Sequence, residues 1–234
     1  MKTGRNNKCV ACSCLNVSRK PTLVVLLFVL RAWAVAAPQQ GTEVLLNGKD
    51  LSNWTFVAQN SSATLEDIWQ VQPDGSLLCT GATQSCLTTK KTDYQDYVLT
   101  LEWRWKERGN SGVLVHAKER SNPKSVWPRS IEIQLMRKHA GDFVVRGVEP
   151  FEAPDMETRE KKKGLHKRIA DNEKESGEWN LLEVTCRGDE IITRVNGTLV
   201  NHATKVGETS GAICLQSEKY EVHFRNMILR PLAQ

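Results

Sequence analysis

The segment from Tyr97 to Lys106 reads YVLTLEWRWK and alternates without a break. Its odd positions are Tyr97, Leu99, Leu101, Trp103 and Trp105; its even positions include Thr100, Glu102, Arg104 and Lys106. A helix repeats every 3.6 residues and would smear this pattern around its circumference, whereas a strand puts alternate residues on opposite faces. The segment is therefore a long strand with one aromatic, core-directed face and one polar face. The same period recurs at Gly112–Lys118 and Ser130–Met136. Shorter runs follow it at Glu43–Leu46, Thr55–Ala58, Ile68–Gln72, Ser76–Thr80, Cys86–Thr89 and Phe143–Gly147, then at Asn180–Arg187, Glu190–Val195, Leu199–His202, Ala212–Ser217 and Glu221–Leu229. Turn signals separate them, among them Asn47-Gly48, Asp74-Gly75 and Asn196-Gly197, which suit turns that need a positive φ. Many short strands at this spacing predict an all-β sandwich or barrel. Only Glu149–Glu178, rich in charge and poor in apolar residues, reads as a long loop.

The start of the chain obeys different rules. Lys2, Arg5, Lys8, Arg19 and Lys20 precede the apolar run Thr22–Leu30, and Ala34-Val35-Ala36 follows. A basic leader, a short apolar core and small residues at a cleavage point are the pattern of a secretory signal peptide over residues 1–36. The stretch between Lys20 and Arg31 is too short to span a bilayer, which takes about 20 residues. The expected mature domain is residues 37–234, secreted or periplasmic. The whole chain carries 32 basic and 27 acidic residues, a net charge of +5. The leader holds six of the basic residues and none of the acidic ones, so the remainder has 26 against 27, a net charge of −1. A near-neutral domain lacks the basic footprint of a nucleic-acid binder. Lys161-Lys162-Lys163 is interleaved with acids and reads as a solvated loop.

The even faces of the three longest alternating runs carry the chemistry. If those strands are neighbours, Glu102, Arg104, His116, Glu132 and Gln134 share one outward face, a cluster of two carboxylates, a guanidinium and an imidazole. Trp103 and Trp105 belong to the core by parity, and Trp54, Trp69 and Trp179 are expected there too. Trp127, in Val126-Trp127-Pro128, is the aromatic best placed to stack on a ligand. Cys9, Cys12 and Cys14 leave with the leader. Among the rest, the spacing of Cys79 and Cys86 leaves a cross-hairpin disulfide open, and Cys186 and Cys214 read as buried thiols. No nucleotide-binding, zinc-protease or serine-hydrolase motif is present. His139-Ala140-Gly141-Asp142 reads as a turn.

Taken in order, these motifs resemble the 3-keto-disaccharide hydrolase domain family from about Thr42 to Leu232. The resemblance rests on Leu46–Trp54 (LNGKDLSNW), Asp74–Leu77, Tyr97–Arg104, Asn110–Val113, Ile131–Gln134, Glu178–Asn180, Val195–Gly197, Leu215–Ser217 and Val222–Leu232. It implies a concanavalin-like jelly roll, two curved antiparallel sheets with a concave sugar-binding face. It also implies action on glycosides oxidised at C3, where the ketone acidifies the C2 proton and a base can remove it. On that basis Glu132 is the expected base, and Arg104 and His116 stabilise the oxyanion. Glu102 orients Arg104, and Asn110, Gln134 and Trp127 contact the sugar. Position 116 departs from the family pattern, with His116 where Arg is usual. A divalent cation could replace Arg104 as electrophile, but the sequence shows no ligand set. A carbohydrate-binding module without turnover is the alternative. A conventional glycosidase, which needs two carboxylates across the bond, would have to pair Glu102 with Glu132.

Overall fold

Alternation decides which side of each strand faces inward, and the apolar sides of two sheets close on one another. The computed structural model describes residues 41–149, 151–154 and 164–233. The leader, the expected cleavage point and part of the charged loop lie outside the described residues.

The first sheet contains, in spatial order, β13 (Thr198–Ala203), β12 (Glu190–Val195), β11 (Asn180–Arg187), β6 (Tyr97–Trp105), β15 (Val222–Pro231), β4 (Leu77–Cys79) and β3 (Trp69–Val71). The short β1 (Glu43–Val44) also pairs with β15. The second sheet runs β10 (Leu165–His166), β9 (Phe143–Arg146), β8 (Ser130–Gln134), β7 (Gly112–Ala117), β14 (Ala212–Ser217), β5 (Ser85–Thr89) and β2 (Trp54–Ala58). All pairings are antiparallel. The single helix among the described residues, α1 (Leu65–Ile68), is one turn closed by a capping box between Thr64 and Asp67, as expected where Thr precedes an acid by three positions. No helix among the described residues is long and apolar enough to cross a membrane.

Tyr97, Leu99, Leu101, Trp103 and Trp105 are buried at 0–1% exposure, together with Ile131, Ile133, Val113 and Val115 from the facing sheet. Trp54 and Trp69 join this core, and each indole N–H finds an acceptor, the Leu45 carbonyl and the Ser85 hydroxyl, both at 3.0 Å. Trp179 does not: it is half-buried on the outside of the first sheet, with the Arg104 and Arg225 guanidinium carbons 4.8 and 4.0 Å from its ring centroid.

The three long alternating strands are not all neighbours. β7 and β8 pair, but β6 lies in the opposite sheet between β11 and β15. The chain crosses from one sheet to the other directly after Trp105. Gly109 makes the crossing possible, because a Cβ there would lie 2.0 Å from the Trp105 ring. A second irregularity sits in β7. Ala212 pairs with Ala117 while Cys214 pairs with Leu114, so β7 carries one extra residue, and His116 takes φ +51°. Gly211 accommodates this bulge, since a Cβ there would sit 2.3 Å from the His116 carbonyl carbon. The bulge turns His116 into the interior, where it meets the Tyr97 ring edge-on at 6.3 Å.

Candidate functional site

The cluster expected from the sequence divides among three places, the outer faces of the two sheets and the interior. Glu102 and Arg104 stand on the outer face of the first sheet. Glu102 pairs there with Arg225 and accepts from Asn226 at 3.3 Å, and Arg104 lies over Trp179. Glu132 projects from β8 on the outer face of the second sheet. Glu102 and Glu132 therefore point away from the core on opposite sides of the sandwich, and cannot flank one bond. His116 is also outside the site. It is fully buried in the interior, and burial lowers its pKa to about 4, so it is neutral at ordinary pH. Gln134 is occupied locally, its side-chain oxygen accepting from the backbone N–H of Leu135 (3.0 Å) and Met136 (2.9 Å).

What gathers around Glu132 is a different set. Ile131 and Ile133 of β8 enter the core, which sends Ser130 and Glu132 to the other face. Arg146 ends β9, opposite Ser130 in register and diagonal to Glu132. Its Nε donates to Glu132 Oε2 at 2.6 Å, and a second guanidinium nitrogen contacts the same oxygen. The Trp127 ring lies 5.2 Å from the Arg146 guanidinium carbon. It also packs on an outer-face apolar floor of Cys86, Leu114, Ala117, Ala212 and Cys214. Of the residues predicted to touch ligand, Glu132 and Trp127 thus meet at one site. Asn110 lines a depression with Met136 and Glu218 that does not include Glu132, Arg146 or Trp127, and its buried Oδ1 has no hydrogen-bond partner.

Glu132 has zero exposure although it is on the outer face, and its Oε1 has no hydrogen-bond partner. Burial raises its pKa; the Arg146 charge and hydrogen bond pull the other way without cancelling it. The Glu218 carboxylate adds to the rise, and the nearby Gln216 amide opposes it. Gln216 is itself fully buried beside Glu132, and its amide acts on that carboxyl as a side-chain hydrogen bond although the pair falls short of full hydrogen-bond geometry. Room for the carboxylate comes from Gly112 across the β7–β8 pair: a Cβ there would be 2.6 Å from Oε1 and 2.7 Å from Cγ. The site is thus a buried carboxylate with a guanidinium on one oxygen, a buried amide beside it and an aromatic wall. Buried polar groups without partners are uncommon and suit a place where a ligand supplies them. Arg146, Gln216 and Gly112 are the candidate site positions that sequence reasoning missed. The alternation of β9 and β14 was visible, but not which strands lie beside β8.

Among the described residues, no group of three or more His, Cys, Asp or Glu side chains is placed to hold a metal ion. His139 Nδ1 lies 3.1 Å from Asp142 Oδ2, and the other Asp142 oxygen accepts from the Arg168 N–H at 2.8 Å, so this segment is a bonded turn. The four cysteines Cys79, Cys86, Cys186 and Cys214 are free and buried. Cys79 and Cys86 belong to different sheets, so the hairpin that would join them does not exist.

Comparison with known proteins places this geometry. No curated protein matches the chain. A solved candidate glycosyl hydrolase from Parabacteroides distasonis ATCC 8503 shares 24% identity over 82% of this chain and 94% of its own, with a TM-score of 0.60. A β-glucanase from Bacillus licheniformis superposes with a TM-score of 0.56 at 12% identity, covering 83% of this chain and all of its own. A carbohydrate-binding module from Bacillus subtilis does so with a TM-score of 0.50 at 13% identity, covering 75% and 93%. At these identities the likeness is one of fold, the concanavalin-like jelly roll. The family model for the 3-keto-alpha-glucoside-1,2-lyase-like domain matches residues 41–230, which is most of the chain, and the protein belongs to that carbohydrate-related family.

Proposed function

We propose that this protein cleaves glycosides already oxidised at C3, with Glu132 as general base and Arg146 as the cation that steadies the developing enolate. The observation that carries the reading is the Glu132 carboxylate: buried, raised in pKa, paired through one oxygen and short of a full hydrogen bond at the other. A base is most useful when its pKa is brought toward the working pH, and burial does this for a carboxylate. Glu132 takes the proton at C2. The C2–H electron pair forms the C1=C2 double bond as the C1–O bond breaks, and the departing oxygen takes up a proton and leaves as an alcohol. Addition of water across C1 and C2 completes net hydrolysis. Negative charge gathers on the C3 oxygen as the C2 proton leaves. A fixed guanidinium in a low-dielectric site stabilises that charge without reorganising. Gln216 offers a donor and an acceptor to sugar hydroxyls, and Trp127 offers an apolar face. The leader pattern over residues 1–36 supports export, which intact-mass measurement of the protein from its native host would test through loss of those residues.

The direct test of the base is Glu132→Gln. The variant should fold, bind oxidised glycoside and turn over at least about 100-fold more slowly, the loss typical for a general base. An unaffected rate overturns the assignment. Sugar binding on this face with no turnover of any oxidised glycoside by the wild type would instead make the domain a carbohydrate-binding module.

A further inference from the structure

The turn between β14 and β15 carries an aromatic residue that the core does not use. Tyr220 is 37% exposed, the only exposed aromatic among the described residues. Its backbone is held from behind. Lys219 takes φ +70°, uncommon for a residue with a Cβ. Gly81 packs on the turn so closely that a Cβ there would lie 2.4 Å from the Tyr220 nitrogen and 2.6 Å from its carbonyl oxygen. A turn constrained in this way is already ordered, which lowers the cost of binding. Two depressions share Tyr220, Glu107 and Arg108 as a common wall. The one of about 320 Å³ adds Lys106 and Glu221, and the one of about 400 Å³ adds Asn110, Met136 and Glu218. Both are of the size that holds a small ligand, about 300–1,000 Å³. Their charges nearly balance. Lys106 pairs with Glu221 at 3.3 Å and Arg137 with Glu175 at 2.5 Å. That leaves Arg108 and Lys219 against Glu107 and Glu218 in the lining. Hydrogen-bonding capacity is left over: Asn110 Oδ1 has no partner, and Glu218 accepts from Gln84 through one oxygen only, at 3.4 Å.

We infer that these paired depressions are a second carbohydrate-binding site, separate from the Glu132 site, which holds two adjoining rings of a neutral oligosaccharide against Tyr220. A sugar ring has an apolar C–H face and a rim of hydroxyls. The face needs an apolar surface such as an aromatic ring, and each hydroxyl stripped of water needs a new partner. Tyr220 supplies the surface, and Arg108, Asn110 and Glu218 supply donors and acceptors around it. A purely apolar ligand would strip water from those groups and give nothing back. An anionic ligand would meet acids and bases in near balance and gain no net attraction. Two depressions with one aromatic wall between them suit two linked rings. Neither Glu132 nor Arg146 lines the site, so it anchors a glycan chain whether or not that chain is cleaved.

The test titrates isotope-labelled protein with the neutral glycans cellotetraose, laminaritetraose, maltotetraose and mannotetraose, and with tetragalacturonate, followed by amide NMR. None of these carries a C3 ketone. At least one neutral glycan should give saturable shifts at Glu107–Asn110 and Glu218–Glu221, and tetragalacturonate should bind no more tightly. Tyr220→Ala should weaken binding about tenfold or more, the scale of loss for a truncated aromatic anchor, with its spectrum away from the turn unchanged. Tyr220→Trp should keep the affinity, and Glu132→Gln should bind as the wild type does. Turnover of a C3-oxidised methyl glucoside should be the same in Tyr220→Ala as in the wild type. The inference is overturned by no shifts with any of the four neutral glycans, or by shifts confined to Trp127 and Arg146. Tightest binding of tetragalacturonate, unchanged affinity in Tyr220→Ala or loss of its turnover also overturns it. Glycan binding at Tyr220 with no wild-type turnover refutes Glu132 as base and leaves this site; turnover without such binding refutes this site alone.

Discussion

Replacing Gly112 with alanine tests whether the position of the Glu132 carboxylate matters. The added Cβ would lie 2.6 Å from Oε1, 2.7 Å from Cγ and 2.9 Å from Cδ, where ordinary contact begins at 3.4 Å. The carboxylate must therefore retreat by about 0.8 Å. It has little freedom to do so, because Oε2 is held by Arg146 and the side chain is fully buried. The backbone is not the obstacle, since Gly112 is absent from the residues with positive φ. Overpacking of this kind costs about 1–3 kcal/mol of stability, and a displacement near 1 Å in a catalytic group can cost about 100-fold in rate. The expectation is a folded Gly112→Ala protein with a modestly lower melting temperature and kcat/KM on a 3-keto-glycoside down by about two orders of magnitude. Thermal melts and steady-state kinetics measure both. The shorter acid of Glu132→Asp in the same background should recover stability, which identifies the clash as the cause. Wild-type kcat/KM in Gly112→Ala would refute the claim that this carboxylate does the chemistry from its observed position.

Further outcomes follow from the same geometry. Turnover should rise with pH through a Glu132 pKa above the ordinary glutamate range, and Arg146→Gln, which removes the main influence lowering that pKa, should slow turnover and move the acid limb to higher pH. His116 is buried neutral with its pKa lowered from 6.5 to about 4. The unfolded chain therefore binds more protons between those values, and stability should fall by about 3 kcal/mol as pH drops from 6.5 toward 4. Urea unfolding at a series of pH values reads this slope, and it should be much shallower in His116→Asn, a residue that tolerates the positive φ. Glu102→Gln, on the opposite sheet, should leave kcat/KM unchanged; a hundredfold loss would contradict the division of the two faces.

Which face a residue takes was legible along the regular strands. The alternation in Tyr97–Trp105 and in Ser130–Gln134 places Trp103 in the core and Glu132 outside it, as found. Spatial neighbours were not legible. Periodicity is a property of one strand, whereas strand order depends on long-range pairing, and a crossing after Trp105 moved Glu102 and Arg104 to the opposite sheet. One extra residue in β7 reversed His116 in the same way that any one-residue slip reverses a strand. Arg146 escaped notice because its strand is four residues long and its importance lies in standing beside β8. The resemblance carried the jelly roll; the proposal of Glu132 drew on strand alternation together with the resemblance, and neither pointed to Arg146 beside it.

The central claim is proton removal at C2 by Glu132. Cleavage of a C3-oxidised glycoside in deuterium oxide, followed by mass spectrometry and proton NMR of the sugar product, reports that event. The account predicts solvent deuterium at C2 in product formed by the wild-type protein, and neither cleavage nor exchange above background with Glu132→Gln. Cleavage that keeps the original hydrogen at C2, or equal cleavage of the unoxidised glycoside, would contradict it.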